Sequence, residues 1–89
     1  MILTTSANTY LKEYLLSLID KVRVYSTNFS PTDPPDTYIE KTYDGYAIVN
    51  YNEIQNIKSI VFFYDNTPLL YINNLSLTPS PELIIKLVS

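Results

Sequence analysis

The sequence predicts an α+β domain that is mostly β: one N-terminal helix packed on an antiparallel sheet or small β-sandwich of about five or six strands. Three observations predict it. Apolar residues recur at helical three-and-four spacing in only one segment, near the N-terminus. The remainder is a series of short runs rich in β-branched and aromatic residues, separated by Pro, Asp and Asn. No second helical segment exists to carry the crossover that parallel strands would need, so an antiparallel meander is favoured. The 89 residues suffice for one domain spanning 1–89, with the helix over 5–20 and the β-rich part over 22–88.

In chain order, Ala7, Tyr10, Leu11, Tyr14, Leu15 and Leu18 form one helical face, and Lys12, Glu13 and Ser17 fall on the other. Thr4, Thr5 and Ser6 supply hydroxyl oxygens that can cap the helix start. The pattern changes near Asp20 or Lys21 to Val22-Arg23-Val24-Tyr25, which suits a strand. SPTDPPD at 30–36 is a loop, because proline removes backbone donors and holds its neighbour extended. Strands are expected at 38–42 and 46–51, divided by Tyr43-Asp44-Gly45, where the only glycine supplies the positive φ of a turn or bulge.

IKSIVFFY at 57–64 carries the strongest strand signal, and Asp65-Asn66-Thr67-Pro68 follows with turn chemistry. A second long strand is expected at 69–77, with Leu69, Tyr71, Leu75 and Leu77 on one face and a bulge or bend at Asn73-Asn74. Thr78-Pro79-Ser80-Pro81 ends it. A final strand at 83–88 places Leu83, Ile85 and Leu87 on one side and Ile84, Lys86 and Val88 on the other.

Composition narrows the function. A domain this small buries a modest share of its surface and gains from a staple, yet there is no Cys or His for a disulfide or a zinc site. Oligomerisation or docking on a partner is the remaining source of stability. Charged residues make up 17% of the chain, below the usual quarter, while nine are tyrosine, whose ring suits surfaces packed on one side and wet on the other. Net charge is −3 with no basic stripe, which excludes sequence-nonspecific nucleic-acid binding. No apolar run is long enough to span a membrane, and the start lacks the pattern of a signal peptide.

Without His or Cys, the His-containing catalytic triads are excluded, and no catalytic residue, cofactor site or metal site is expected. The acidic candidates Asp33, Asp36, Asp44 and Asp65 all stand where Asp favours local backbone hydrogen bonds, so a turn role is the expectation for each. One glycine cannot build a phosphate-cradling loop, and TDPPD does not supply a calcium loop. Asn28-Phe29-Ser30 and Asn74-Leu75-Ser76 match the glycosylation sequon, and with no signal peptide both read as chance matches.

Three stretches together carry a resemblance: LTTSANTYLKEYLLS at 3–17, VRVYSTNFSPTDPPDTYIEKTYDGYAIV at 22–49 and IKSIVFFYDNTPLLYINNLSL at 57–77. In that order they resemble a group of small structural proteins of tailed bacteriophages, described as tail-fibre or virion structural proteins. The chain departs from the family pattern in lacking paired glycines at the 65–68 turn, a tryptophan-containing stretch and a longer middle. The resemblance implies a non-enzymatic virion component (fibre, tail, neck or capsid decoration) made in the bacterial host cytoplasm. Its partners would be other virion proteins, with homo-oligomerisation and no nucleic acid or membrane. Two other readings stand beside it: a small intracellular phage protein that binds and inhibits a host enzyme through its tyrosines or the SPTDPPD loop, and a carbohydrate-binding fibre module.

Overall fold

The computed structural model describes Tyr14 and residues 16–87. The chain is an α+β domain with a short helical segment packed on antiparallel β structure. Tyr14 and residues 16–18 are helical, and the caps expected at Thr4, Thr5 and Ser6 lie outside the described residues. Leu16 packs against the core and Ile19, just after the helix, is buried, whereas Tyr14 is exposed. The expected face is thus corrected at Tyr14. The Ser17 Oγ donates to the Tyr14 carbonyl at 2.6 Å, a back-bond that tends to bend or loosen a helix.

Six strands follow: β1 (Lys21–Tyr25), β2 (Ile39–Thr42), β3 (Ala47–Asn50), β4 (Ser59–Tyr64), β5 (Thr67–Ile72) and β6 (Glu82–Ile85). They form a four-stranded sheet in the order β2-β1-β4-β5 and a two-stranded ribbon of β3 with β6, with every pairing antiparallel. The order is not the expected meander. β1 lies at the centre between β2 and β4, so the middle of the sheet is a long-range pairing from Val22 opposite Phe62 to Tyr25 opposite Ser59. The chain leaves the sheet after β2 at the turn of Asp44 and Gly45. Gly45 has φ +78°, and the space around it is open, so the backbone conformation alone explains the glycine.

β4 and β5 are a hairpin closed by Asp65 and Asn66, both at positive φ (48° and 66°), the pair of left-handed residues that a two-residue turn requires. The strand expected at 69–77 is divided. Ile60 pairs with Ile72, and the next bridge joins Ile57 to Leu77, so three steps along one strand are matched by five along the other. The two additional residues are accommodated at Asn73 and Asn74, the latter at φ 61°. Across this break the core-facing positions change on both strands, from Leu70 to Leu75 and Leu77 on one and from Ile60 to Ile57 on the other, while Leu69 and Tyr71 are exposed. The expected common face of Leu69, Tyr71, Leu75 and Leu77 is corrected accordingly.

The ribbon covers one face of the four-stranded sheet. Ala47, Val49 and Ile85 from the ribbon meet Val22, Val24, Ile60 and Phe62 from the sheet, and Tyr43 sets its ring edge-on to Phe62 with centroids 5.6 Å apart. Leu83 and Leu87 join this core and Ile84 is exposed, as the alternation at 83–88 predicts. The other face of the sheet is covered by a loop and is the more unusual half.

Candidate binding surface

On that second face, alternation along β1 and β4 presents Arg23, Tyr25, Ser59, Val61 and Phe63. Residues 26–38 cross over it. Phe29 inserts beside Tyr25, Val61 and Phe63 to make a second, smaller apolar cluster. Rings then follow one another across the face: Tyr38 to Tyr25 at 5.6 Å, Tyr25 to Phe29 at 5.5 Å and Phe29 to Tyr71 at 5.3 Å, all tilted. Tyr38 and Tyr71 are the exposed ends of this row.

The crossing segment is fastened by polar bonds at three consecutive residues. The Ser59 Oγ donates to the Thr27 carbonyl at 2.8 Å. Asn28 Nδ2 donates to Asn74 Oδ1 at 3.0 Å, and the Asn74 N–H returns a bond to Asn28 Oδ1 at 2.9 Å. The Asn73 amide imitates a strand, accepting from the Phe29 N–H at 2.8 Å and donating to the Phe29 carbonyl at 2.9 Å. The same break that interrupts β5 therefore holds the loop. Both asparagines of the two sequons are engaged in this clasp, which gives them a structural role of their own.

Arg23 closes the other end. Its guanidinium lies over the Tyr38 ring at 4.2 Å and the Phe63 ring at 4.4 Å, with Nε donating to Glu40 Oε1 at 2.8 Å. Burial would lower its pKa, but the bonds to Glu40 and to the Tyr25 hydroxyl outweigh it and raise the pKa further above its ordinary value. The Tyr25 hydroxyl is buried beside this cation without a hydrogen bond of full geometry. A planar, permanently charged group stacked between rings is a use for which lysine is not equivalent.

The acidic candidates are dispersed. Asp33 and Asp36 are exposed in the proline loop, where the Asp33 N–H closes a turn onto the Ser30 carbonyl at 3.2 Å. Asp44 and Asp65 are exposed in the two turns, and the Asp65 N–H donates to Asp20 Oδ2 at 3.2 Å. Among the described residues no three His, Cys, Asp or Glu side chains cluster to hold a metal ion, and no helix is long and apolar enough to cross a membrane. Away from the helical end, a cleft of about 260 Å³ lies between Tyr38, Ile39 and residues 53–56, and a more open one of about 420 Å³ lies beside Asn50, Tyr51, Asn52 and Pro81.

What the surface does carry is exposed apolar area. Tyr14, Tyr38, Tyr46, Tyr51, Tyr64 and Tyr71 are all exposed, and so are Ile48, Leu69, Ile72 and Ile84. Ile48 and Ile84 are direct cross-strand partners on the outside of the ribbon. The asparagine clasp and the Arg23 stack are the features that sequence reasoning missed; the only local signal was Asn73 interrupting an apolar run. No family model matches the chain, and no curated protein or solved structure is significantly similar to it.

Proposed function

We propose that this chain is a structural subunit that works by burying its surface against other proteins, and that its setting is a tailed-phage virion. The observation that carries the reading is the exposed surface: of the eight tyrosines among the described residues, six are exposed. They lie on the helical segment (Tyr14), at the two ends of β3 (Tyr46 and Tyr51), at the hairpin (Tyr64) and on the aromatic face (Tyr38 and Tyr71), under a low density of charge. Tyrosine concentrates where protein surfaces pack, because it offers large area at little cost in side-chain entropy. The virion setting rests on the three resembling stretches, and repeated weak contacts in a particle suit a subunit of this size. Mass spectrometry of purified particles tests it. The chain is expected at stoichiometric copy number, and its absence from particles would sink the virion setting.

A second reading draws on the proline loop. Residues 31–34 are exposed, while the loop is anchored at Thr27, Asn28 and Phe29 on one side and at Tyr38 on the other, so its shape is preorganised for a partner. An inhibitor acting through this loop would form a soluble one-to-one complex with a host protein. Deletion of the two prolines Pro34 and Pro35 would abolish that complex.

A further inference from the structure

We infer that the cleft beside Tyr38 binds a neutral sugar ring, which stacks on Tyr38 and hydrogen-bonds to the hydroxyl and amide groups around it. The cleft lies where β1 ends and β2 begins, at the opposite end of the sheet from the hairpin of β4 and β5. One wall is Tyr38 with Ser26 and Thr37, and the other is the turn at residues 53–56. Both walls are held before any ligand arrives. Arg23 lies over the Tyr38 ring at 4.2 Å, and the Tyr25 ring packs on it at 5.6 Å. On the other wall the Glu53 N–H donates to the Asn50 carbonyl at 3.0 Å, the Gln55 amide donates to the Tyr51 carbonyl, and the Ile54 side chain is buried. A site whose walls are already ordered loses little entropy when it is filled.

The chemistry of the lining selects the class of ligand. Its one charged side chain among the described residues is Glu53, and both carboxylate oxygens are engaged, Oε1 by the Asn50 N–H at 3.0 Å and Oε2 by Lys41. A phosphate or carboxylate would find no lining cation there, and a cation would find a carboxylate already neutralised. The other polar groups are the hydroxyls of Ser26 and Thr37 and the amides of Gln55 and Asn56, all exposed. Among the described residues the side chains of Ser26, Thr37 and Asn56 make no hydrogen bond. An apolar ligand would strip water from these groups and leave them unpaired. A peptide added as a strand would have to pair along β2, where Glu40 and Lys41 blunt the edge. A sugar ring meets both parts of the surface. Its C–H face packs on an aromatic ring whose other face Arg23 occupies, and its hydroxyls both donate to and accept from hydroxyls and amides. A cleft of about 260 Å³, just under the roughly 300 to 1,000 Å³ of sites for drug-sized ligands, suits one ring and not a long chain of them.

Titration of the nitrogen-labelled full chain with glucose, galactose, mannose, N-acetylglucosamine and rhamnose, each to about 50 mM and followed by amide chemical shifts, tests this. At least one is expected to shift Ser26, Tyr38, Gln55 and Asn56 together and to saturate with a Kd of about 1 to 10 mM, as suits one ring with few contacts. Tyr38→Ala is expected to weaken binding at least about tenfold, while Tyr38→Phe, which keeps the ring, stays within about threefold of wild type. Asn56→Ala, at an exposed position, should cost about threefold to tenfold with the thermal melt unchanged. The inference is overturned by a panel that leaves these four amides unmoved, by shifts at Tyr64 or Tyr71 in their place, or by a cleft that responds to inorganic phosphate and to none of the sugars. Equal loss in Tyr38→Phe and Tyr38→Ala would overturn it as well. Failure here is distinguishable from failure of the virion setting: a chain present in particles whose cleft takes no sugar removes only this site.

Discussion

The two faces of the four-stranded sheet are covered by different means. The face toward the ribbon is closed by apolar packing, with Val22, Val24, Val49 and Ile57 fully buried and Phe62 nearly so. The face toward the loop has fewer buried apolar groups, namely Tyr25, Phe29, Val61 and Phe63, and depends on five hydrogen bonds at Thr27, Asn28 and Phe29 to hold its cover in place. Burial without direction suffices where two β layers meet, because alternation presents matching faces. A loop has no such alternation, and its backbone groups need partners of their own. Asparagine amides supply them.

Breaking the comparison at its strong side has the largest expected effect. Phe62→Ala removes the ring that meets Tyr43 and leaves a cavity under the ribbon, and about 4 to 5 kcal/mol of stability should be lost. Denaturant titration followed by far-UV circular dichroism would show a lower midpoint for the whole domain. A variant within about 1 kcal/mol of wild type would mean that the ribbon does not seal this face.

Asn73→Ala strikes the other side. It strands the Phe29 N–H and carbonyl, a cost of about 1 to 3 kcal/mol. The loss is expected to be local. Hydrogen exchange should quicken at residues 27–30 while the β1 and β4 amides keep their protection. Uniform deprotection would show that the two faces open together and are not separately fastened.

Arg23→Lys keeps the charge but not the planar stack over Tyr38 and Phe63, and about 0.5 to 1 kcal/mol is expected to go. A chemical-shift change confined to Tyr38, Phe63 and Glu40 would place the effect on the aromatic face. Smallest is Glu53→Gln, at the bridge to Lys41. The Lys41 bond, then the Asn50 N–H, hold the Glu53 carboxyl below its ordinary value. A lowered folded pKa contributes stability above the unfolded pKa and loses it as pH falls through the folded one. The variant should therefore be less stable by under about 1 kcal/mol at neutral pH, and the gap should close below about pH 4. Paired melts at the two pH values measure it.

Local residue chemistry determined the strands and turns. Alternation in KVRVY and SIVFFY, the lone Gly45 and the Asp65-Asn66 pair mark their elements because strand and turn preferences act within a few residues. The break at Asn73 was visible for the same reason. The candidate surface was visible only in part. The tyrosine surplus is a composition fact, but which rings are buried depends on what lies across from them: Tyr25 and Tyr43 are interior and Tyr71 is not.

Tertiary structure alone decided the pairing of β1 with β4, the assignment of β3 and β6 to a separate ribbon, and the clasp from Asn28 to Asn74 across 46 positions of sequence. Antiparallel strands of similar composition can pair in many orders, and neighbours along the chain are favoured only by the entropy of closing a short loop. That advantage grows slowly with length, so the burial of Phe62 on one side and of Phe29 on the other was enough to override it.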